Sequence, residues 1–220
     1  MRVLAVDTTT ERGSLAVVSD AGVLAEVRVQ AGAGHSRWLL PALDAVLKGL
    51  GLAAPELDCF AVTTGPGSFT GLRVGLSSVQ GLALASGRPC LGLSALDMLA
   101  RAAAGSAGRV VALMNAFRGE VYWAVYDHHG VRLVGPRVGP LEQALAEAPV
   151  GAAFVGDAVA PMRARIAAGV AGALFPEIEL HLAAALGRAA LVGLAAGDAV
   201  AASALRPLYL RGADARVSRP

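Results

Sequence analysis

A chain of 220 residues can form one large domain or two small ones, and either holds enough volume for a core without a disulfide or metal staple. Lys and Arg number 19 against 17 acidic residues, so a net charge of +2 excludes a polyanion as a partner demanded by bulk charge alone. Hydrophobic residues reach 55%, yet no uncharged apolar run approaches the roughly 18 residues of a spanning helix, so a membrane span is not expected.

The surplus apolar character points to an Ala- and Gly-rich core and to surface covered by another subunit. The first residues, MRVLAVDTTTERG, lack a secretory pattern because Asp7 interrupts the apolar run, and a cytoplasmic location is expected. Cys59 and Cys90 have no Cys or His at metal-ligand spacing and read as inert core thiols.

In chain order, residues 3–6, 14–19 and 23–29 read as three strands of a meander, with the turn of the second hairpin at Asp20, Ala21 and Gly22. Ser36 is a candidate cap for a helix over 36–49, where Leu39, Leu40, Leu43, Val46 and Leu47 form a broad apolar stripe. Pro41 then belongs in its first turns. A strand over 57–63 follows. The helix expected after Gly71 carries Leu72, Leu76, Val79 and Ala83 on one side. Residues 89–93 read as a strand, and Ser94 and Asp97 have capping spacing for a helix ending before Gly105.

After residue 106 the plan repeats: VVALMN at 110–115 parallels VLAVD at 3–7, and EVYWAVYD at 120–127 parallels SLAVVSD at 14–20. Two copies of one strand-hairpin start predict two similar α/β lobes, 1–106 and 107–220. The second lobe is expected to hold a strand at 132–134, a helix at 140–147, a strand near 152–155 and a helix from about Pro161. Residues 177–197 form the longest helical pattern, a helix that would pack back on the first lobe.

The stretch GPGSFTGLR at 65–73 joins a buried strand to a helix, where amides can gather around an anion. It is one residue too long for a Walker loop and has Leu72 and Arg73 where Lys and a hydroxyl would stand. Gly65 and Gly67 allow a tight turn, and Ser68, Thr70 and the amides near Gly71 could face a phosphate; a strained junction with capping hydroxyls is the other reading. Asp7 and Thr8, at a strand end, suit hydrated Mg²⁺ and phosphate, or serve as turn ligands for their own backbone.

His35 has no second His or Cys a helical turn away and reads as a helix-start or interface residue, while His128, His129 and His181 suggest no metal site. Ser68 is one position too early for a nucleophile elbow. Arg118 and Glu120 lie on a turn that could meet a partner or simply be solvated. Trp38 beside the first apolar helix, with the second helix, suggests either a four-helix seam with another subunit or two helices covering a sheet.

The segments VLAVDTTTERGSLAV, HSRWLLPALD, TTGPGSFTGLRVGLSSVQGLAL, RGEVYWAVY and RPLYLR, in this order along nearly the whole chain, closely resemble the bacterial TsaB (YeaZ) family. The resemblance implies the two-lobed fold shared by actin, hexokinase and Hsp70, each lobe a mixed sheet with helices. The family is similar to TsaD, which binds metal through paired histidines one helical turn apart. Here His35 resembles the first, and Leu39 stands in place of the second. That departure argues against a catalytic metal centre, and against the peptidase M22-like glycoprotease activity once given to such proteins.

The implied role is a noncatalytic scaffold subunit, with no catalytic residue, required when TsaD, aided by TsaE, transfers a threonylcarbamoyl group to N6 of adenosine 37 in tRNAs reading A-starting codons. No cofactor is tightly bound on this reading, ATP and Mg²⁺ being used by the complex, and Asp7, Thr8, Gly65, Gly67, Ser68, Thr70 and Gly71 would be a degenerate phosphate site. TsaD would dock through Trp38, Leu39, Leu43, Leu47, Leu72, Leu76, Val79 and Ala83, with self-dimerisation of the isolated chain left open. Contact with tRNA would come through the complex, the tail arginines Arg206, Arg211, Arg216 and Arg219 against Asp214 adding phosphate contacts or being solvated. The alternative is an independent ATP-dependent small-molecule kinase of the same superfamily.

Overall fold

The computed structural model describes residues 1–30 and 34–210. Strands β1 (Arg2–Asp7), β2 (Arg12–Ser19) and β3 (Gly22–Gln30) form an antiparallel meander. After helix α1 (His35–Gly49), strand β4 (Cys59–Gly65) returns parallel to β1; helix α2 (Phe69–Ser86) leads to β5 (Cys90–Ser94), parallel to β4. The sheet order is β3-β2-β1-β4-β5. Helix α3 (Ala95–Ala102) then leads out, with the Ser94 hydroxyl accepting from the Asp97 amide as its cap.

The second lobe repeats this wiring. Strands β6 (Arg109–Asn115), β7 (Glu120–Asp127) and β8 (Arg132–Pro140) form a meander, helix α4 (Leu141–Glu147) follows, and β9 (Ala153–Val155) pairs parallel with β6 before helix α5 (Val159–Gly169). Its order, β8-β7-β6-β9, reproduces β3-β2-β1-β4, and Asp7 and Asn115 end equivalent strands. Strand β8 runs beyond the expected 132–134, crossing Gly135 and Pro136 with irregular register.

Side-chain alternation along β1 explains the layers. Leu4 and Val6 face a core with Leu39, Leu43, Leu76 and Val79 of α1 and α2, whereas Val3 and Ala5 face a central core containing α3 and helix α6 (Ala183–Ala196). That central core also takes one face of the second sheet, and the other face of that sheet packs on α4 and α5. Both central strands are therefore covered on both sides and read as unbroken apolar runs.

Helix α6 lies on the first sheet, although it follows the second lobe in sequence. Its approach is close enough that a Cβ on Gly187 would stand 2.5 Å from Val18 Cγ2, and the Ala183 amide donates to Ser14 Oγ at 3.0 Å. The helical pattern expected from residue 177 starts only at 183, and at 14 residues α6 is shorter than the 18 of α2. Ile178, Leu180 and Leu182 alternate instead toward the central core, a period of two that suits extended chain.

Helix α1 starts at His35, so Ser36 lies inside it rather than capping it. Arg206 Nη1 donates to the carbonyls of Ser203 and Leu205, tying it to its own turn, while Arg211, Asp214, Arg216 and Arg219 lie outside the described residues. Among the described residues no helix is long and apolar enough to cross a membrane.

Candidate functional site

Asp7 is fully buried at the end of β1. Its Oδ1 accepts from the Thr9 amide at 3.1 Å, from Thr9 Oγ1 at 2.7 Å and from Thr63 Oγ1 at 2.6 Å. Its Oδ2 is buried with no partner. Burial pushes this carboxyl above the ordinary carboxylate range, outweighing the bonds from Thr63 and Thr9 and the nearby His35. The side chain is thus turned toward its own strand ends.

The glycine loop closes on the same turn. The Ser68 amide donates to Thr9 O at 2.7 Å, the Gly71 amide to Ser68 Oγ at 3.3 Å, and the Leu72 amide to Ser68 O at 2.8 Å. Thr8 Oγ1 donates to Gly71 O at 2.8 Å. A Cβ on Gly67 would sit 2.4 Å from Thr9 O, one on Gly71 2.1 Å from Thr8 O, and one on Gly75 2.4 Å from Thr8 Oγ1. Behind the loop, a Cβ on Gly65 would meet Leu208 O at 2.9 Å.

The glycines of GPGSFTG are therefore required by backbone pressed against backbone, and Ser68 caps α2, which begins at Phe69 rather than after Gly71. The residues expected to cradle phosphate do come together, but as a closed junction: Asp7 is fully buried with Oδ1 bonded to Thr9 and Thr63, Thr8 is spent on Gly71, and the amides of Ser68, Gly71 and Leu72 are bonded within the chain. Thr70 alone among them points outward. These residues do not fit a Mg-nucleotide phosphate group. Thr63, Gly75 and Leu208 were not singled out in the sequence; the Thr pair ending a buried strand was the available signal for Thr63.

His35 is held in the same way. Trp38 Nε1 donates to His35 Nδ1 at 3.2 Å, which leaves Nε2 to carry the proton and donate to Thr10 O at 2.7 Å. Gly13 makes room for both rings, since a Cβ there would lie 2.3 Å from Trp38 Cζ2. Both imidazole nitrogens are occupied, so His35 anchors α1 to the β1–β2 turn. Among the described residues no group of three or more His, Cys, Asp or Glu could hold a metal ion.

At the equivalent place in the second lobe, the Asn115 amide donates to Asp157 Oδ1 at 3.1 Å and Asn115 Oδ1 accepts from the Phe117 amide. Burial pushes Asp157 up in turn, against its backbone bonds. Phe117 and Arg118 take positive φ, 59° and 54°, in the turn that follows.

The two outer helices correct the expected contact residues. Leu39, Leu43, Leu47, Leu72, Leu76, Val79 and Ala83 are buried in the chain's own core, and Trp38 is half-buried on Gly13 and His35. The apolar stripe was the inward face, because the strands beneath need covering before any partner does. What α1 and α2 show to solvent is Leu40, Phe69 and Leu84, exposed by 54%, 53% and 79%.

Between them runs a cavity of about 530 Å³ lined by Ser36, Leu40, Phe69, Arg73, Val74 and Ser77. The Arg73 guanidinium lies 4.0 Å from the Phe69 ring centroid, and Tyr209 stacks on Phe69 at 5.7 Å. Ser77, Gly81 and Ala85 follow at four-residue intervals along the outer side of α2, with open space above Gly81.

A family model described as TsaD, tRNA N6-adenosine threonylcarbamoyltransferase, matches residues 22–212. The chain is 39% identical over 135 residues to the tRNA threonylcarbamoyladenosine biosynthesis protein TsaB of Escherichia coli, covering 60% of this chain and 58% of that protein. It is 36% identical over 217 residues to the uncharacterized protein Rv3421c of Mycobacterium tuberculosis, covering 97% and 93%. The structure of YeaZ from Pseudomonas aeruginosa superposes with a TM-score of 0.79 at 31% identity, over 95% of this chain and 99% of that one.

Proposed function

Because this chain belongs to the TsaB (YeaZ) family, we propose that it is a noncatalytic partner subunit in tRNA threonylcarbamoyladenosine biosynthesis. Its partner on this reading is a TsaD-type subunit, docked on the solvent side of α1 and α2. The single observation that carries the noncatalytic part is the closure of the junction around Asp7 and His35. Asp7 Oδ1, the Thr8 hydroxyl and both nitrogens of His35 are taken up by the chain's own backbone and side chains, and Asp7 Oδ2 is shut away from solvent.

The outer helix pair, in contrast, offers exposed Leu40, Phe69 and Leu84 beside small residues, the mixture a docked helix pair can cover. TsaD, with TsaE and Mg-ATP used by the complex, would make the bond at N6 of adenosine 37, and this chain would set the shape of the assembly in the cytoplasm. In the absence of TsaD the same face would serve a second copy. The independent kinase reading has no comparable support, since it requires the Asp7 junction to open.

The test is mass-spectrometric quantification of N6-threonylcarbamoyladenosine in unmodified tRNA, incubated with matching TsaD, TsaE, ATP and threonylcarbamoyl-adenylate, with and without this chain. Product that requires the chain supports the assignment. Equal product in both reactions, from partners shown to be active, overturns it.

A further inference from the structure

A second cavity, of about 600 Å³, lies away from the α1–α2 face, where β3 meets the end of α3 and the outer side of α6. Its two sides carry opposite character. On the β3 side, Arg28 bridges two acids, donating from Nη2 to Glu26 Oε2 at 2.7 Å and from Nη1 to Glu179 Oε2 at 2.6 Å. On the helix side stand Arg101 of α3 and Arg188 of α6, both exposed, and neither side chain has a hydrogen bond or ion pair among the described residues. The wall between them is apolar, built from alanines of α6 with Val23 and Val192.

Glu26 adds a second, independent oddity. Its side chain is only 13% exposed, and Oε1 is buried without any partner, an unfavourable state for a polar group. Arg28, whose side chain is 48% exposed, lies beside it on the solvent side, so that the Glu26 pair is reachable from the cavity. A charge turned inward on an edge strand also discourages strand pairing, and β3 is an edge. That role accounts for Glu26 but not for two unpaired arginines brought to one cavity by two different helices.

We propose that this cavity binds a small amphoteric molecule, one with a phosphate or carboxylate for Arg101 and Arg188 and, a few bonds away, an ammonium or N–H group for Glu26. The anionic end meets guanidinium forks suited to it, the donor end takes the place of Arg28 on Glu26 Oε2, and the alanine wall takes the carbon between. The site shares no lining residue with the α1–α2 groove, so it stands or falls separately from the partner reading.

The probe is O-phosphoethanolamine, compared with inorganic phosphate and with ethanolamine on the full chain, by calorimetry and by amide chemical-shift mapping. Phosphoethanolamine is expected to bind at least about tenfold more tightly than phosphate, with shifts confined to residues 23–28, 101–102 and 179–192. Arg188→Glu and Arg101→Glu should each abolish binding, and Glu26→Gln should keep phosphate binding while removing most of the preference. Thermal unfolding verifies that each variant is folded. No binding up to about 10 mM, equal affinity for phosphate, or binding unchanged by both arginine variants overturns the proposal.

Discussion

Thr63 Oγ1 donates to Asp7 Oδ1 at 2.6 Å, joining the ends of the neighbouring parallel strands β4 and β1. With the Thr9 bonds it draws one carboxylate oxygen into the fold and leaves the other dry. The proton therefore stays on longer in the folded chain than in the unfolded one.

The sign of the pH effect follows. An acid whose folded pKa is raised contributes stability that is full below its unfolded pKa, ordinarily 3.8 for Asp7, and is lost as pH rises through the folded value. Comparing the wild type with Asp7→Asn by urea unfolding, the difference should shift toward the wild type as pH falls from about 7 toward about 4. A difference independent of pH would show that Asp7 keeps an ordinary carboxylate in the fold.

Gly71 and Gly81 lie on one helix and should respond oppositely. A methyl at Gly71 meets Thr8 O at 2.1 Å, so Gly71→Ala should destabilise by about 1–3 kcal/mol or more. Gly81 faces open space in a helix interior, so Gly81→Ala should stabilise by roughly 0.5–1 kcal/mol. Denaturant midpoints measure both.

Leu43→Asp and Leu40→Asp separate the two faces of α1. The first places a charge in the core and should abolish cooperative unfolding; the second alters a side chain 54% exposed and should leave the fold intact. Light scattering with TsaD should then show Leu40→Asp weakening the complex by at least about tenfold. Unchanged binding would remove the α1 side from the docking surface.

Cys59 and Cys90 should resist alkylation in the native chain. Burial, aided by neighbouring Cys90, pushes the Cys59 thiol up to about 12, and burial raises Cys90 too. Iodoacetamide at about pH 8 should label neither until urea is added, as read by intact mass. Rapid native labelling would place a thiol at the surface.

The strands, their pairing into two hairpins and the duplication at Asp7 and Asn115 were legible in the chain, because alternation, turn glycines and a repeated apolar block are local signals. The Ser94 cap was legible for the same reason. The stretch from residue 177 was not: alanines and leucines suit a helix, yet Ile178, Leu180 and Leu182 had a central core to fill, and packing overrode propensity.

The site divides along the same line. Sequence alone brought forward Asp7, Thr8, the Gly65–Gly71 loop and the two apolar helices, since unusual residues at strand ends and strong stripes stand out without coordinates. Whether the loop is open to an anion or closed on Thr8 and Thr9, and whether Leu43 or Leu40 faces solvent, depend on distances between segments some 60 residues apart and on which face meets the sheet. Periodicity marks a helix's apolar face without saying what covers it, and a glycine marks close approach without saying to what; only the assembled layers supply the other surface.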